Sequence, residues 1–204
     1  IIKNGPTERR RFVDMELCQL DPMYLYHLNN YNKIVNQRNK LLKEISFNPE
    51  LKSTLDIWDT QLAAFGVHII ERRYAFVDQL NGIIKGIHES LSGGKEDLKV
   101  VYEPEVEKER FAQMLLQNQE RDIRMKQTTT GPHRDDFAFV ANGIDIRKFG
   151  SQGQQRTVAL SLKLSEIELV KKLTKDNPVL LLDDVLSELD SNRQNYLLST
   201  IGDI

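Results

Sequence analysis

Apolar residues recur at helical spacing through about the first 126 positions. From residue 128 onward short apolar runs alternate with helical stretches instead. A first helix is expected to open at Pro6, where a proline suits the first helical position. It carries Arg9, Arg10 and Arg11, then Phe12, Val13 and Leu17. Asp21-Pro22 reads as the cap and first residue of a second helix. Its apolar positions Tyr24, Leu28, Tyr31, Val35, Leu42 and Ile45 keep helical spacing, and Asn48-Pro49 breaks it. A third helix is predicted from near Ser53, with Asp56 three residues on as a weak capping box. Leu55, Leu62, Ile69, Phe76 and Ile83 recur every seven residues, and Trp58 and Phe65 accompany them at a second offset. Residues 53–91 as one helix would reach about 58 Å, an arm packed on the second helix in coiled-coil fashion. Gly66, Gly82 and Gly86 work against this, each costing roughly 1 kcal/mol relative to alanine.

The run LSGGKE, residues 91–96, begins with the letters of an ABC-type ATPase signature. A working signature must open a helix, so that free N–H groups and the helix dipole meet a phosphate. Here the run closes the long helix, and Leu98–Glu103 follows with strand alternation before Pro104. It therefore reads as a helix-ending turn with a left-handed stop. A further charged helix is expected from Glu105 to about Lys126. A turn at His133-Arg134-Asp135-Asp136 then enters a strand at Phe137–Val140, and Ala141-Asn142-Gly143 forms a hairpin turn.

Two later segments carry candidate chemistry. Gly150-Ser151-Gln152-Gly153 is a polar turn, and from Gln154 a helix follows with a broad apolar face of Val158, Leu160, Leu162, Leu164, Ile167, Leu169 and Val170. The start of such a buried helix offers free N–H groups, a hydroxyl and a glycine, which suit a phosphate; serine and glycine there are also ordinary capping. Val179–Leu182 is a continuous apolar run of the kind found in central parallel strands, and Asp183 and Asp184 stand at its C-terminal edge. Ligands bind at that edge in open α/β sheets. The pair suits Mg²⁺, with the second carboxylate orienting or deprotonating a water; capping of the next turn is the plainer alternative.

The order of GPTERRRFVD (5–14), TGPHRDD (130–136), GSQGQQRTVALSLKL (150–164) and PVLLLDDVLSELD (178–190) resembles the RecF family, in the SMC-like branch of ABC-type ATPases. The resemblance covers most of the chain and is least specific between residues 20 and 120. It implies an α/β fold: the C-terminal half of an ABC-type P-loop ATPase head with a mostly helical arm domain. The implied division is an N-terminal joining helix at 1–20, the arm at 21–127 and the head part at 128–204. Ser151, Gln152, Gly153 and Gln154 would be the signature, meeting the γ-phosphate of ATP on a partner subunit. Asp183 would hold Mg²⁺ through water, and Asp184 would take the general-base position. Ser187, Glu188, Leu189 and Asp190 would be the D-loop at the dimer interface. Gln152 stands where the wider pattern has glycine, and Asp184 where glutamate is usual, which fits slow hydrolysis. The resemblance further implies an ATP-dependent homodimer on DNA at single-strand/double-strand junctions. It would load RecA with RecO and RecR, in DNA repair, recombination, replication and the SOS response.

No G-x-x-x-x-G-K-[ST] occurs in the 204 residues. Both ends are expected to be cuts within a larger protein, and the chain alone is predicted not to hydrolyse ATP, although the intact protein would be a weak ATPase. The formal net charge of −2, from 28 basic and 30 acidic residues, gives no global nucleic-acid signal. The single cysteine, Cys18, rules out an intrachain disulfide and fits a cytoplasmic setting. No apolar run is long enough to span a membrane as a helix.

Arg9, Arg10 and Arg11 lie against the helix dipole at the start of their helix. A solvated face with Glu8 and Asp14 is the plain reading, and contact with DNA phosphate or an interface the other; Arg134 belongs to a second basic cluster of the same kind. His27, His68 and His88 lack metal-ligand spacing, and Trp58 is expected in the core. Rival readings are another SMC-like structural ATPase head, a transporter nucleotide-binding subunit and a non-enzymatic module that docks a protein partner.

Overall fold

Helix α1 (Pro6–Leu20) opens at its proline, as expected, and buries Arg9, Phe12, Val13 and Leu17 along one face. The computed structural model describes residues 1–175 and Gln194. Asp21 caps α2 (Pro22–Glu44), its side chain accepting from the Met23 N–H at 2.9 Å. A 3-10 helix, Pro49–Thr54, follows the Asn48-Pro49 break, and α3 runs over Leu55–Ser92. The capping box expected at Ser53 is absent: the Ser53 hydroxyl donates back to the Glu50 carbonyl at 2.9 Å, inside the 3-10 turn.

Leu55, Leu62, Ile69 and Phe76 are buried, as their spacing predicts, but at the next repeat the buried residue is Ile84 and not Ile83. A straight α-helix drifts by about 20° per heptad, so four heptads move the stripe by nearly one residue. Trp58 is half-buried at the edge of the stripe. Gly66 is a packing requirement: a Cβ there would lie 2.3 Å from the Phe111 ring and 3.1 Å from Tyr31. Gly82 and Gly86 face open space. After Ser92 the chain turns through Gly93 and Gly94, at φ +65° and +72°, and the Gly94 N–H donates to Glu89 O at 2.8 Å. LSGGKE is thus a helix-ending turn.

The chain groups into two compact units interleaved in sequence. One comprises Asn4–Phe76 and Tyr102–Phe137, the other Ile1–Lys3, Val77–Val101 and the stretch beginning at Ala138. Helix α3 contributes to both units.

In the first unit the helix expected from Glu105 to Lys126 is broken. Lys108–Arg110 is a 3-10 turn, followed by α4 (Phe111–Gln117) and α5 (Gln119–Met125). Asn118 makes the break, at φ −93° and ψ 1°, with its side chain donating to Thr130 Oγ1 at 2.7 Å. A small core forms around Leu42, Ile45 and Leu55, with Leu41, Leu51 and Ile123 against it.

A three-stranded sheet has the order β1 (Leu98–Glu103), β2 (Asp136–Ala141), β3 (Ile144–Asp145). Strands β2 and β3 pair antiparallel, Val140 opposite Asp145 and Ala141 opposite Ile144. Asn142 and Gly143 turn the hairpin with positive φ, 49° and 80°, as a two-residue loop demands. A short helix that the pattern did not predict, α6 (Ile146–Phe149), follows at once, capped by Asp145, which accepts from the Arg147 N–H at 3.0 Å. Then α7 runs over Gln152–Thr174 and buries Val158, Leu160, Leu162, Leu164, Ile167 and Leu169, as the apolar face predicts.

Candidate nucleotide-contact site

Ser151 is the N-cap of α7, and Gln154 completes a reciprocal capping box. Ser151 Oγ accepts from the Gln154 N–H at 3.2 Å, and Gln154 Oε1 accepts from the Ser151 N–H at 2.8 Å. The first intrahelical bond of the turn runs from the Gln155 N–H to Ser151 O at 3.0 Å. The amides of Gln152 and Gly153 precede it and, with the Ser151 hydroxyl proton, have no partner among the described residues. Ser151, Gln152 and Gly153 are exposed and Gln154 is half-buried.

The two glycines flanking this turn differ in what they do. A Cβ on Gly150 would lie 2.6 Å from Ile146 Cγ2 and 2.7 Å from its carbonyl oxygen, so packing alone explains that glycine. A Cβ on Gly153 would meet only Ser151 Oγ, at 3.9 Å. Nothing inside the described residues asks for glycine at 153, although glycine costs helix stability there. The side chain of Gln154 also reaches Glu96, its Nε2 donating to Glu96 Oε1 at 2.9 Å. Glu96 in turn faces the fully buried His88 of α3, Oε2 to Nε2 at 3.0 Å. The pairing of His88 with Glu96 escaped the sequence reading. Eight residues separate them, and only the Gly93-Gly94 turn folds one back on the other.

Asp183, Asp184, Ser187, Glu188, Leu189 and Asp190 lie outside the described residues. Among the described residues no group of three or more His, Cys, Asp or Glu side chains could hold a metal ion, and no helix is long and apolar enough to cross a membrane.

Arg9 and Arg10 behave differently from a solvated face. Arg9 is 6% exposed and forks onto Asp136, Nε to Oδ1 at 2.6 Å and Nη2 to Oδ2 at 2.7 Å. The solvated-face reading is corrected for Arg9: its partner is Asp136 of the TGPHRDD segment, not Glu8 or Asp14. Arg10 donates to the Asp135 carbonyl oxygen at 2.7 Å. Burial, with Arg73 nearby, lowers its pKa. Arg11 and Arg134 are exposed. Arg10, Arg11, Tyr31, Arg73 and His133 help line a cavity of about 430 Å³.

The TGPHRDD segment itself is held by buried polar groups. Asp135 accepts from Arg73 Nη1 at 2.8 Å, from the Glu105 N–H at 2.9 Å and from the Tyr102 hydroxyl. Burial raises the Asp135 pKa. His133 lies between the Tyr31 hydroxyl, 2.7 Å from Nδ1, and the Thr128 carbonyl, 3.1 Å from Nε2. A neutral imidazole satisfies both, and burial pushes its pKa down to about 4. His27 and His68, far apart in sequence, stack with centroids 4.4 Å apart.

Fold and site together define part of an ABC-type ATPase head carried with a mostly helical arm. No family model matches the chain. A DNA replication and repair protein RecF from Lachnoclostridium phytofermentans is 61% identical over 201 residues, 98% of this chain and 56% of that protein. The RecF of Agathobacter rectalis is 60% identical over 203 residues, 100% of this chain and 56% of the relative. The RecF of Acetivibrio thermocellus is 47% identical over 216 residues, 100% of this chain and 58% of the relative. Two solved structures, described as the recombination mediator protein RecF-ATP and RecF-ATPrS in the RecFOR pathway, superpose with TM-scores of 0.87 and 0.89. They share 36% and 37% identity, and each match covers 98% of this chain and 56% of the solved one. The chain belongs to the RecF family. It spans about half the length of the curated relatives it matches.

Proposed function

We propose that the intact protein is an ATP-dependent recombination mediator of RecF type, and that the first turn of α7 is the surface that closes on nucleotide. The observation that carries this is the state of the turn. Among the described residues, two helix-start amides and one hydroxyl proton stay available beside a glycine that no contact requires. Such a surface fits the γ-phosphate of ATP held by a partner subunit. Ser151 would donate through its hydroxyl, Gln152 and Gly153 through their amides, and Gln154 would set the shape of the turn. Relatives described with ATP support the choice of nucleotide.

In the same reading Asp183 holds Mg²⁺ through water and Asp184 acts as general base, one methylene shorter than the usual glutamate. Ser187, Glu188, Leu189 and Asp190 contact the partner copy. ATP joins two copies on DNA at single-strand/double-strand junctions, where RecO and RecR assist RecA loading. Arg11 and Arg134, both exposed, are the arginines available to DNA or to an interface. The consecutive division into a joining helix (1–20), arm (21–127) and head part (128–204) belongs to this proposal, as does a cytoplasmic location.

Light scattering on the intact protein with and without ATP tests the reading. Native protein is expected to double its mass with ATP, and Ser151→Arg, which fills the phosphate position, to remain at the mass of one chain. An ATP-independent mass, or a mutant that associates like the native protein, overturns the phosphate reading and favours a partner-docking module.

A further inference from the structure

We infer that Glu96 is the positioning residue of the α7 turn: its carboxylate fixes the Gln154 amide and thereby decides which donors the turn presents. The inference rests on the phosphate reading proposed above. It starts from how firmly Glu96 is held. Asn142 brackets it, Nδ2 donating to Lys95 O at 2.9 Å and Oδ1 accepting from the Asp97 N–H at 2.9 Å. The Asn142 N–H also donates to Asp97 O at 3.1 Å. The residues on both sides of Glu96 are thus fixed through one asparagine of the hairpin.

Each carboxylate oxygen of Glu96 then takes one donor. Oε1 accepts from Gln154 Nε2 at 2.9 Å, and Oε2 lies 3.0 Å from His88 Nε2. A carboxylate only accepts, so His88 Nε2 carries its hydrogen and donates, and the Gln154 NH₂ group must face Glu96. His88 is fully buried, and its Nδ1 lies 2.8 Å from Ser161 Oγ of α7. The ring is tied at both nitrogens and holds Glu96 in place.

With its NH₂ group committed to Glu96, Gln154 has its oxygen left for the Ser151 N–H. Turning the amide over would set NH₂ against that N–H and oxygen against the carboxylate, leaving two hydrogen bonds unmade. The cap therefore stays closed with a defined polarity. It uses the N–H groups of Ser151 and Gln154 and leaves those of Gln152 and Gly153, with the Ser151 hydroxyl, directed to a ligand. LSGGKE is not the signature, yet its glutamate orders the turn that resembles one.

Glu96→Met in the intact protein tests this. The thioether offers the Gln154 NH₂ group no oxygen, so the amide is free to turn over and open the cap. Backbone exchange at Ser151 and Gln154 is expected to quicken about tenfold, and the ATP concentration for half-maximal self-association to rise about tenfold, as for loss of a charge-assisted hydrogen bond. The reciprocal pair, Glu96→Gln with Gln154→Glu, restores every bond with donors and acceptors exchanged. It is expected to bring exchange back within about twofold of the native protein. Exchange and ATP response in Glu96→Met within about twofold of native, or a reciprocal pair that stays unprotected, overturns the inference. If Glu96→Met does not fold, the reciprocal pair alone decides by the same criterion. Ser151→Arg is run beside them: if it keeps the ATP response, the phosphate reading falls, while the exchange arm still decides whether Glu96 holds the cap.

Discussion

Arg38 Nη1 lies 2.7 Å from Asp122 Oδ2, and neither side chain is exposed at all. Helices α2 and α5, which carry them, are joined at this point across 84 residues of sequence. Arg38 Nε also meets Asp59 at 2.6 Å, and its Nη1 reaches Thr128 Oγ1 at 3.0 Å. Removing the guanidinium leaves two buried carboxylates uncompensated. Arg38→Met is expected to lose about 3–5 kcal/mol in denaturant unfolding. Lys52→Ala removes an exposed partner of Glu120 and is expected to leave the midpoint where it is.

The glycines of α3 separate by packing. Gly66→Ala drives a methyl into the Phe111 ring, which a built Cβ approaches to 2.3 Å. Overpacking of this kind costs about 1–3 kcal/mol, more than the helix propensity returns. Gly82→Ala and Gly86→Ala meet nothing within 4 Å and are expected to stabilise the protein by up to about 1 kcal/mol each. Thermal unfolding of the three variants reads the contrast directly.

His133 should shape the acid side of the stability curve. Its folded pKa, pushed down to about 4 by burial, lies below the unfolded value near 6.5. The neutral form therefore favours the folded state. The contribution is complete above pH ~6.5 and is lost as pH falls toward 4, on the order of 3 kcal/mol in all. Unfolding free energies measured from pH 7 to 4 should fall more steeply in the native protein than in His133→Gln, which has no titrating group at that position.

Gly153→Ala separates stability from function. Among the described residues the added methyl meets only Ser151 Oγ, at 3.9 Å, so folding is expected to be unharmed or improved by up to about 1 kcal/mol. The methyl stands where the proposed phosphate would lie, so ATP-dependent association should weaken. A stable variant with native association would place the phosphate elsewhere.

Local chemistry was legible from the residues themselves. Proline at 6, aspartate-proline at 21–22 and the two glycines at 93–94 mark helix ends, because each constrains backbone dihedrals or hydrogen bonds within a few positions. The motif order from 130 to 190 was equally legible and led to the RecF family. The break at Asn118 was not: charged residues on both sides continue a helical pattern, and the asparagine departs from it through its bond to Thr130.

The sequence by itself determined the helix ends marked by Pro6, Asp21-Pro22 and Gly93-Gly94, and which face of α7 is buried. Only the tertiary structure decided that Arg9, Arg38 and Arg73 are interior groups and that Glu96 holds Gln154. The reason is physical. Capping and periodicity act between residues a few positions apart, whereas a buried charge is tolerable only through partners that folding brings from distant segments, and no local pattern encodes them.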